Sequence, residues 1–236
     1  MSIVTVSRYV RPTPLTRVAT LVSVAAIALT AGFLIGRYPR LPDVLVVHFS
    51  RTGFPNGFQF KTWGRVFGPV FVQLALAVTL GAVGTLLLSR PHGDHQDDSP
   101  DVRAAGVAAE AVALLAAIWI AVQCYAAFAL ARLWERQLPR LDGYGAAAAT
   151  GLALTVLVAI RAHLRLGRPD PRPFIPEHWR FGQLYLNGAD PALFVPTRNG
   201  ARWTLNFGRP VAALLMAIVL IMGIVAPAVI LTLSLR

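Results

Sequence analysis

The stretch LPDVLVVHFSRTGFPNGFQFK, residues Leu41–Lys61, separates two long apolar runs, Val18–Ile35 and Val66–Leu88. A helix that crosses a bilayer needs about 20 mostly apolar residues, and both runs have roughly that length. The stretch between them is short, more polar and rich in turn-forming residues. The chain is therefore predicted to cross the membrane, expose this stretch and cross back.

The exposed stretch is predicted to form a β-hairpin. Val44–Phe49 is rich in β-branched and aromatic residues and lies between Pro42-Asp43 and Ser50–Gly53, which is typical of a strand bounded by turns. Pro55–Gly57 predicts a second turn, because Asn-Gly accepts positive φ angles. Phe58–Lys61 then predicts the return strand, and we expect Phe49 and Phe58 to anchor the hairpin on the outer ends of the helices.

His48 is the candidate binding residue of this hairpin. In a strand it shares a face with Val44 and Val46, so a polar ring lies on an otherwise apolar face. One interpretation is a histidine satisfied by a nearby backbone group, and the other is a contact to a ligand or partner. The second interpretation makes a ligand-binding set of His48, Phe49, Gly53, Asn56, Gly57 and Lys61. No nucleophile or paired carboxylate is close in sequence, so the sequence predicts no catalytic residue, no cofactor and no metal.

Leu41-Pro42-Asp43, His48-Phe49, Gly53, Pro55, Gly57 and Lys61 follow the first span in a pattern that resembles the membrane domain of SdpI-like bacterial proteins. That pattern reads approximately L-P-D, P-x-H-F, G-x-P-[DN]-G and a lysine. This chain has Val46 where the family usually has proline. SdpI itself is an immunity protein and signalling receptor for a secreted toxin, whereas most relatives have no assigned role. The resemblance implies a bacterial plasma-membrane protein whose hairpin meets an extracytoplasmic peptide.

The composition supports a membrane protein, since 56% of the 236 residues are hydrophobic and 14% are charged, against about 25% charged in soluble domains. The predicted fold is an all-α membrane protein with five transmembrane helices, a small extracytoplasmic β-hairpin and a cytoplasmic β-rich loop module. The predicted helices are 18–35, 66–88, 104–131, 144–160 and 211–233. The segments around them are 1–17, 37–65, 90–103, 132–143 and 161–209.

Two charged features accompany the spans. Glu110 lies in the third one, where a carboxylate is costly and often functional, so it is either an intramembrane site or an acid that reaches the interface. Arg161, Arg165 and Arg168 would form a stripe on one face if the fourth helix continued past residue 160.

The loop 90–103 carries residues of the types that bind metals: His92, Asp94, His95, Asp97 and Asp98. Their spacing matches no defined metal site, so we expect a solvated loop.

The module, residues 161–209, is predicted to hold strands at Gln183–Leu186, Leu193–Val195 and Arg202–Phe207, with turns at Asn187-Gly188 and Asn199-Gly200. It resembles a second uncharacterised bacterial module with the pattern W-x-x-G-x-x-Y-x-N, D-P-x-x-F-V-P and G-x-x-W-T-L-N-F-G-R-P. The residues that fit include Trp179, Tyr185, Asn187, Asp190, Trp203 and Asn206. Trp203 and Asn206 are the candidate contacts for a cytoplasmic regulator.

The distribution of charge predicts the orientation of the chain. With the N-terminus inside, the inner segments carry thirteen basic residues and the outer ones nine, which favours this orientation. The net charge of +11 then indicates contact with anionic lipid headgroups and not with nucleic acid.

Three classes of function compete. The first is a non-enzymatic receptor, immunity or signalling protein, and the second is a small-solute transporter or a transporter accessory subunit. The third is a membrane enzyme, against which no Ser-His-Asp set, HExxH or P-loop appears. The sequence therefore favours the receptor.

Overall fold

A computed structural model describes residues 10–50, 54–89, 100–139, 141, 143–169 and 172–220. The α-helices in these ranges are α1 (Pro14–Arg37), α2 (Trp63–Val66), α3 (Gly68–Leu88), α4 (Pro100–Arg136), α5 (Tyr144–Leu166) and α6 (Pro210–Leu220). The strands are β1 (Val44–Phe49), β2 (Pro55–Phe60), β3 (Trp179–Arg180), β4 (Leu184–Tyr185), β5 (Phe194–Pro196) and β6 (Trp203–Leu205). They pair antiparallel as β1 with β2, β3 with β4 and β5 with β6.

Four of the described helices, α1, α3, α4 and α5, are long and apolar enough to cross a membrane. Their mean hydropathy ranges from 1.7 to 2.3, and they cover the first four predicted spans. The molecule is therefore an integral membrane protein by length and composition. The predicted fifth span, 211–233, is described only as far as Leu220, in α6, and its remainder lies outside the described residues.

Among the helices that extend beyond their predicted limits, α4 and α5 do so for clear local reasons. α4 begins at Pro100, because proline suits the first turn of a helix and Asp101 complements the positive end of the helix dipole. α5 continues to Leu166 and ends at Gly167, whose φ of +60° is the left-handed conformation that glycine adopts at a helix end. Arg161 and Arg165 therefore lie on the helix, as the predicted stripe requires, and Arg168 lies after it.

The chain divides into two compact units. The first unit takes its described residues from Met1–Thr13, Ala82–Glu110 and Arg161–Arg236, and the second takes them from Pro14–Gly81 and Ala111–Ile160. The hairpin β1–β2 belongs to the second unit, and the module belongs to the first.

The core of the second unit joins the hairpin to its helices. Leu45 of β1 is fully buried with Leu34 of α1, Val66 of α2 and Ala131 of α4. Trp134 is also buried there, and its indole Nε1 donates to the carbonyl of Val46 at 2.8 Å. The hairpin is thus packed on the helices through aliphatic side chains and one tryptophan.

A polar contact also crosses this unit. Gln73 of α3 is fully buried, and its Nε2 donates to Thr30 Oγ1 of α1 and to the carbonyl of Ile120 of α4, both at 3.0 Å. The side-chain amide of Gln73 therefore links three apolar helices by hydrogen bonds, which are favourable between helices in an apolar environment.

The hairpin differs from its predicted form in two ways. Asn56 and Gly57 lie inside β2 and do not form a turn, because β2 begins at Pro55 and Gly57 pairs with His48. The pairing register also shifts on either side of His48, an irregularity that the sequence does not predict. His48 and Val44 are exposed and Val46 is half-buried, while Leu45 and Phe49 of the other predicted face pack on the core.

The aromatic anchors also differ. Phe49 is half-buried and packs against the core, as expected, but Phe58 is 63% exposed. Leu45, which pairs with Gln59 ahead of the register shift, is instead the deepest hairpin side chain, with 0% of its surface exposed.

In the module, the strands overlap the predicted ones but pair differently. β3 was not predicted, and the β3–β4 turn lies at Phe181 and Gly182, with φ angles of +50° and +71°. Asn199-Gly200 does lie in the β5–β6 connection, and Gly200 has a φ of +67°. Asn187-Gly188 follows β4 without joining paired strands.

Candidate functional site

The hairpin brings three of the predicted site residues together. His48 Nδ1 lies in hydrogen-bonding contact with the side-chain oxygen of Asn56, so that nitrogen carries the proton and donates. A Cβ on Gly57 would lie 2.7 Å from the Cβ of His48, closer than real side chains come. Glycine at 57 therefore serves the close approach of β2 to His48. The ring is exposed, with its other nitrogen available for a partner.

The remaining hairpin residues have structural contacts. Lys61 Nζ donates to the carbonyl of Leu41 at 2.7 Å and lies 3.5 Å from an Asp43 carboxylate oxygen. Its ammonium also lies 5.4 Å from the centre of the Tyr38 ring. These contacts close the base of the hairpin and favour a scaffold role for Lys61. Gly53 lies outside the described residues.

Asn206 organises the module from its centre. Its side chain is fully buried, and Nδ2 donates to the carbonyls of Asn187, Asp190 and Ala192 at 2.8–3.2 Å. Its Oδ1 accepts from the backbone amides of Asn187 and Gly208 at 3.1 and 3.0 Å. Both ends of the amide are occupied within the module, which favours positioning of the loops over direct contact with a partner.

These loops enclose a concave site, here called the module cavity, of about 360 Å³. Small-molecule sites have volumes of about 300–1,000 Å³. Its aromatic wall is Phe174, Trp179 and Tyr185, with the Trp179 and Tyr185 rings edge to face at 5.3 Å. Its basic groups are Arg172 and Arg198, and the Arg198 guanidinium lies 4.6 Å from the centre of the Phe174 ring.

The polar groups of the cavity are fixed in place. Asp190 Oδ2 accepts from Arg172 at 3.0 Å and from the Tyr185 hydroxyl at 3.1 Å, while Oδ1 accepts from the Ala192 amide at 2.8 Å. Burial, together with the neighbouring Asp190 charge, raises the pKa of Tyr185. The phenol therefore stays protonated at neutral pH and donates to Asp190. Arg172 is paired with Asp190, so among the described arginines of the lining Arg198 is the one left for an acidic ligand.

The module is hydrogen-bonded to two of the membrane-length helices at residues of the first unit. The Phe194 amide of β5 donates to Asp101 Oδ1 in the first turn of α4, at 2.7 Å. Trp203 Nε1 of β6 lies 3.3 Å from the carbonyls of Leu166 and Gly167, at the end of α5. Trp203 thus links β6 to the end of α5 by hydrogen bonds. It also lines an open groove beside Arg202.

Glu110 forms a buried ion cluster in the first unit. Its Oε1 accepts from Arg161 at 2.9 Å and from Arg165, and its Oε2 accepts from the Thr13 hydroxyl at 2.6 Å. The glutamate is 4% exposed. Arg161 and Arg165 of the arginine stripe therefore face this carboxylate, and Glu110 is a paired, buried acid.

The cavity residues are not among the site residues that the sequence predicts. Trp179, Tyr185 and Asp190 belong to the sequence motif of the module, whereas Phe174 and Arg198 lie outside it. The available signal was the clustering of aromatic and basic residues around the prolines at 173, 176 and 196. Within the described ranges no group of three or more His, Cys, Asp and Glu side chains could hold a metal ion. The His92–Asp98 residues lie outside those ranges.

Comparison with protein families gives two matches. Residues 25–74, which include the hairpin, match a domain of unknown function, DUF1648. Residues 189–212, which include β5 and β6, match a family of unknown function, DUF5808. Neither curated proteins nor solved structures give a match. The two matches fall on the two segments, hairpin and module, in which the candidate residues lie.

Proposed function

We propose that the protein is a non-enzymatic membrane receptor of the immunity or signalling type. In this proposal, the hairpin around His48 meets an extracytoplasmic peptide, and the module meets a cytoplasmic regulator. The observation that carries it is the module cavity, which is lined by Val195 and Pro196 of β5. Their neighbours in the β5–β6 pair, Phe194 and Trp203, hydrogen-bond to α4 and to the end of α5.

The chemistry of the cavity suggests what the regulator presents. An aromatic wall favours an apolar or planar side chain, and a guanidinium binds carboxylate through paired hydrogen bonds. Arg198 is exposed and lies beside Phe174, so both contacts are available at one place. A short segment with an acidic residue next to an aromatic or aliphatic one fits these groups.

In this proposal, a signal passes from the module cavity to α4 through β5. Val195 and Pro196 of β5 line the cavity, and the adjacent Phe194 donates to Asp101 of α4. A bound segment that presses on β5 would therefore change the contact at the start of α4. Because α4 continues to Arg136 and contributes Trp134 to the hairpin contact, one helix carries residues for both binding elements.

The test uses the full chain in lipid nanodiscs and fluorescein-labelled hexapeptides that pair glutamate with phenylalanine. Matched peptides carry lysine in place of glutamate. We expect the acidic peptides to bind more tightly and to be recovered intact, and Arg198→Gln to weaken binding about tenfold, which corresponds to about 1.4 kcal/mol. Arg180→Gln is the matched control, because Arg180 is exposed on the same module and does not line the cavity. Equal binding of both peptide sets, or cleavage of the peptide, would refute the proposal.

A transporter or transporter accessory subunit is the second candidate, and the Glu110 cluster favours it. Ionisable groups buried between membrane helices often mark the path of a substrate or proton. Reconstituted protein that moves protons or small solutes across vesicles, with flux lost in Glu110→Gln, would support this alternative over the receptor.

A further inference from the structure

A second concave site lies in the first unit, away from the residues of the module cavity. It has a volume of about 440 Å³ and is called the basic cavity here. Its polar lining is Arg11, Arg103, Arg165 and Thr13, and Gly106 forms part of its floor. The charged side chains come from three separate segments: the residues before α1, the first turns of α4 and the last turn of α5.

The lining of this cavity is strongly positive. Among the described residues that line it there are three arginines and no acid. Glu110 contacts this lining, because it accepts hydrogen bonds from Arg165 and Thr13, and it also pairs with Arg161. Glu110 therefore fixes the orientation of Arg165 without neutralising the cavity, and a guanidinium with five donors keeps several for another acceptor.

The backbone around the cavity is held in place. The Val10 amide donates to the carbonyl of Leu88 at 2.7 Å, which fixes the segment that carries Arg11 against the end of α3. Arg103 lies on α4 between Asp101, whose carboxylate accepts from Phe194, and the buried Ala104 and Ala105. The three guanidiniums are thus presented by ordered elements.

We propose that the basic cavity binds the phosphate of an anionic phospholipid headgroup. Guanidiniums match phosphate oxygens in geometry and charge, and basic pockets between membrane helices are suited to lipid headgroups. The source is a lipid and not a free anion, because valines 10, 102 and 107 line the same cavity and α4 and α5 are membrane-length helices. A zwitterionic headgroup would bring its ammonium towards three arginines, so phosphatidylglycerol fits and phosphatidylcholine does not.

Gly106 offers a way to block the cavity without changing its charge. Nothing lies within 4 Å of the place where a Cβ would be, so Gly106→Ala is accommodated. Leucine has a helix propensity close to that of alanine, but the side chain of Gly106→Leu extends into the space that the headgroup would occupy.

The test is made on the full chain purified in neutral detergent. Phosphatidylglycerol or phosphatidylcholine is titrated, and bound lipid is measured by native mass spectrometry. We expect phosphatidylglycerol to bind at least about tenfold more tightly, an energy difference of about 1.4 kcal/mol. The double variant Arg11→Gln/Arg103→Gln and the variant Gly106→Leu should each lose at least that factor. Gly106→Ala and Arg136→Gln, which changes an exposed arginine at the end of α4, should retain it.

Three results would overturn the proposal: equal affinity for the two lipids, unchanged affinity in both blocking variants, or displacement of phosphatidylglycerol by an equal concentration of inorganic phosphate. The last result would assign the cavity to a free anion. If Gly106→Leu fails to fold, the arginine double variant decides, because Arg11 and Arg103 are both exposed and their loss leaves the helix packing unchanged.

Discussion

Replacing Glu110 with glutamine tests whether the buried ion cluster stabilises the fold. The substitution keeps the size of the side chain but removes its charge and turns one acceptor oxygen into a donor. In the native protein the carboxylate is 4% exposed and accepts from Arg161, Arg165 and Thr13. We therefore expect a loss of stability, whereas a carboxylate free in the interface would leave stability almost unchanged.

The magnitude follows from the exposure of the partners. Breaking a fully buried ion pair costs about 3–5 kcal/mol, because the remaining charge is left uncompensated. Here the side chains of Arg161 and Arg165 are 48% and 38% exposed, so they can turn towards water or headgroups. The cost is then closer to that of losing hydrogen bonds to a charged group, about 1.5–3 kcal/mol, and we expect about 2 kcal/mol.

Cys124 provides the assay. It is the only cysteine of the chain and lies on α4, incompletely exposed, so a fluorogenic thiol reagent labels it faster when the helices separate. Denaturation of the purified protein, followed by this labelling, gives the free energy of unfolding. Glu135→Gln is the control, because Glu135 pairs with Arg37 at 3.0 Å in a half-exposed setting, and such pairs contribute about 0–1 kcal/mol.

A double-mutant cycle with Arg165→Gln isolates the pair. We expect a coupling energy of about 0.5–3 kcal/mol, as found for residues in one network. If Glu110→Gln costs no more than Glu135→Gln, and the cycle shows no coupling, the cluster does not stabilise the protein and the reasoning is refuted.

Three further predictions concern the hairpin and the orientation of the chain. Leu45→Ala should lower the free energy of unfolding by about 2–5 kcal/mol, because Leu45 is 0% exposed. Phe58→Ala should change it by less than about 0.5 kcal/mol, because Phe58 is 63% exposed. Chemical denaturation measures both values, and equal losses would contradict the observed register. His48→Ala should leave the amount of protein in the membrane intact and abolish resistance or signalling in a peptide-challenge assay, because the ring is exposed; a depleted protein would make His48 structural instead. Five spans with the N-terminus inside predict that a phosphatase fusion is inactive after Arg180 and active after Arg236, and the reverse activities would invert both assignments.

The membrane helices could be predicted because their signal is local. A span must be apolar over its whole length, so hydropathy alone located α1, α3, α4 and α5 to within a few residues. Their ends were less accessible: α5 continues to Leu166 because Gly167 can take a left-handed conformation, and the prolines that follow merely exclude further helix. Sequence composition thus located the elements, and backbone conformation set where they stop.

The hairpin shows why register was harder to predict. Asn56-Gly57 matches a turn signal, yet Gly57 is a strand residue whose missing Cβ admits His48. The same glycine satisfies either requirement, and only the pairing partner distinguishes them. The register shifts on either side of His48 likewise depend on the partner strand, so the sequence alone does not predict them.

The Glu110 cluster could be predicted from the sequence only in part. Its arginine partners lie 51 and 55 residues away, beyond any local pattern. Even so, Glu110 is the only acid in the five predicted spans, and Arg161 and Arg165 follow the fourth of them at helical spacing. An ionised group between apolar helices is stable only when an opposite charge is close to it. Charge balance alone therefore predicts that Arg161 and Arg165 pair with Glu110. The burial of Glu110 could not be predicted from the sequence, because it depends on the contact with Thr13 and on the continuation of α5. Those contacts distinguish a buried ion cluster from a solvated one.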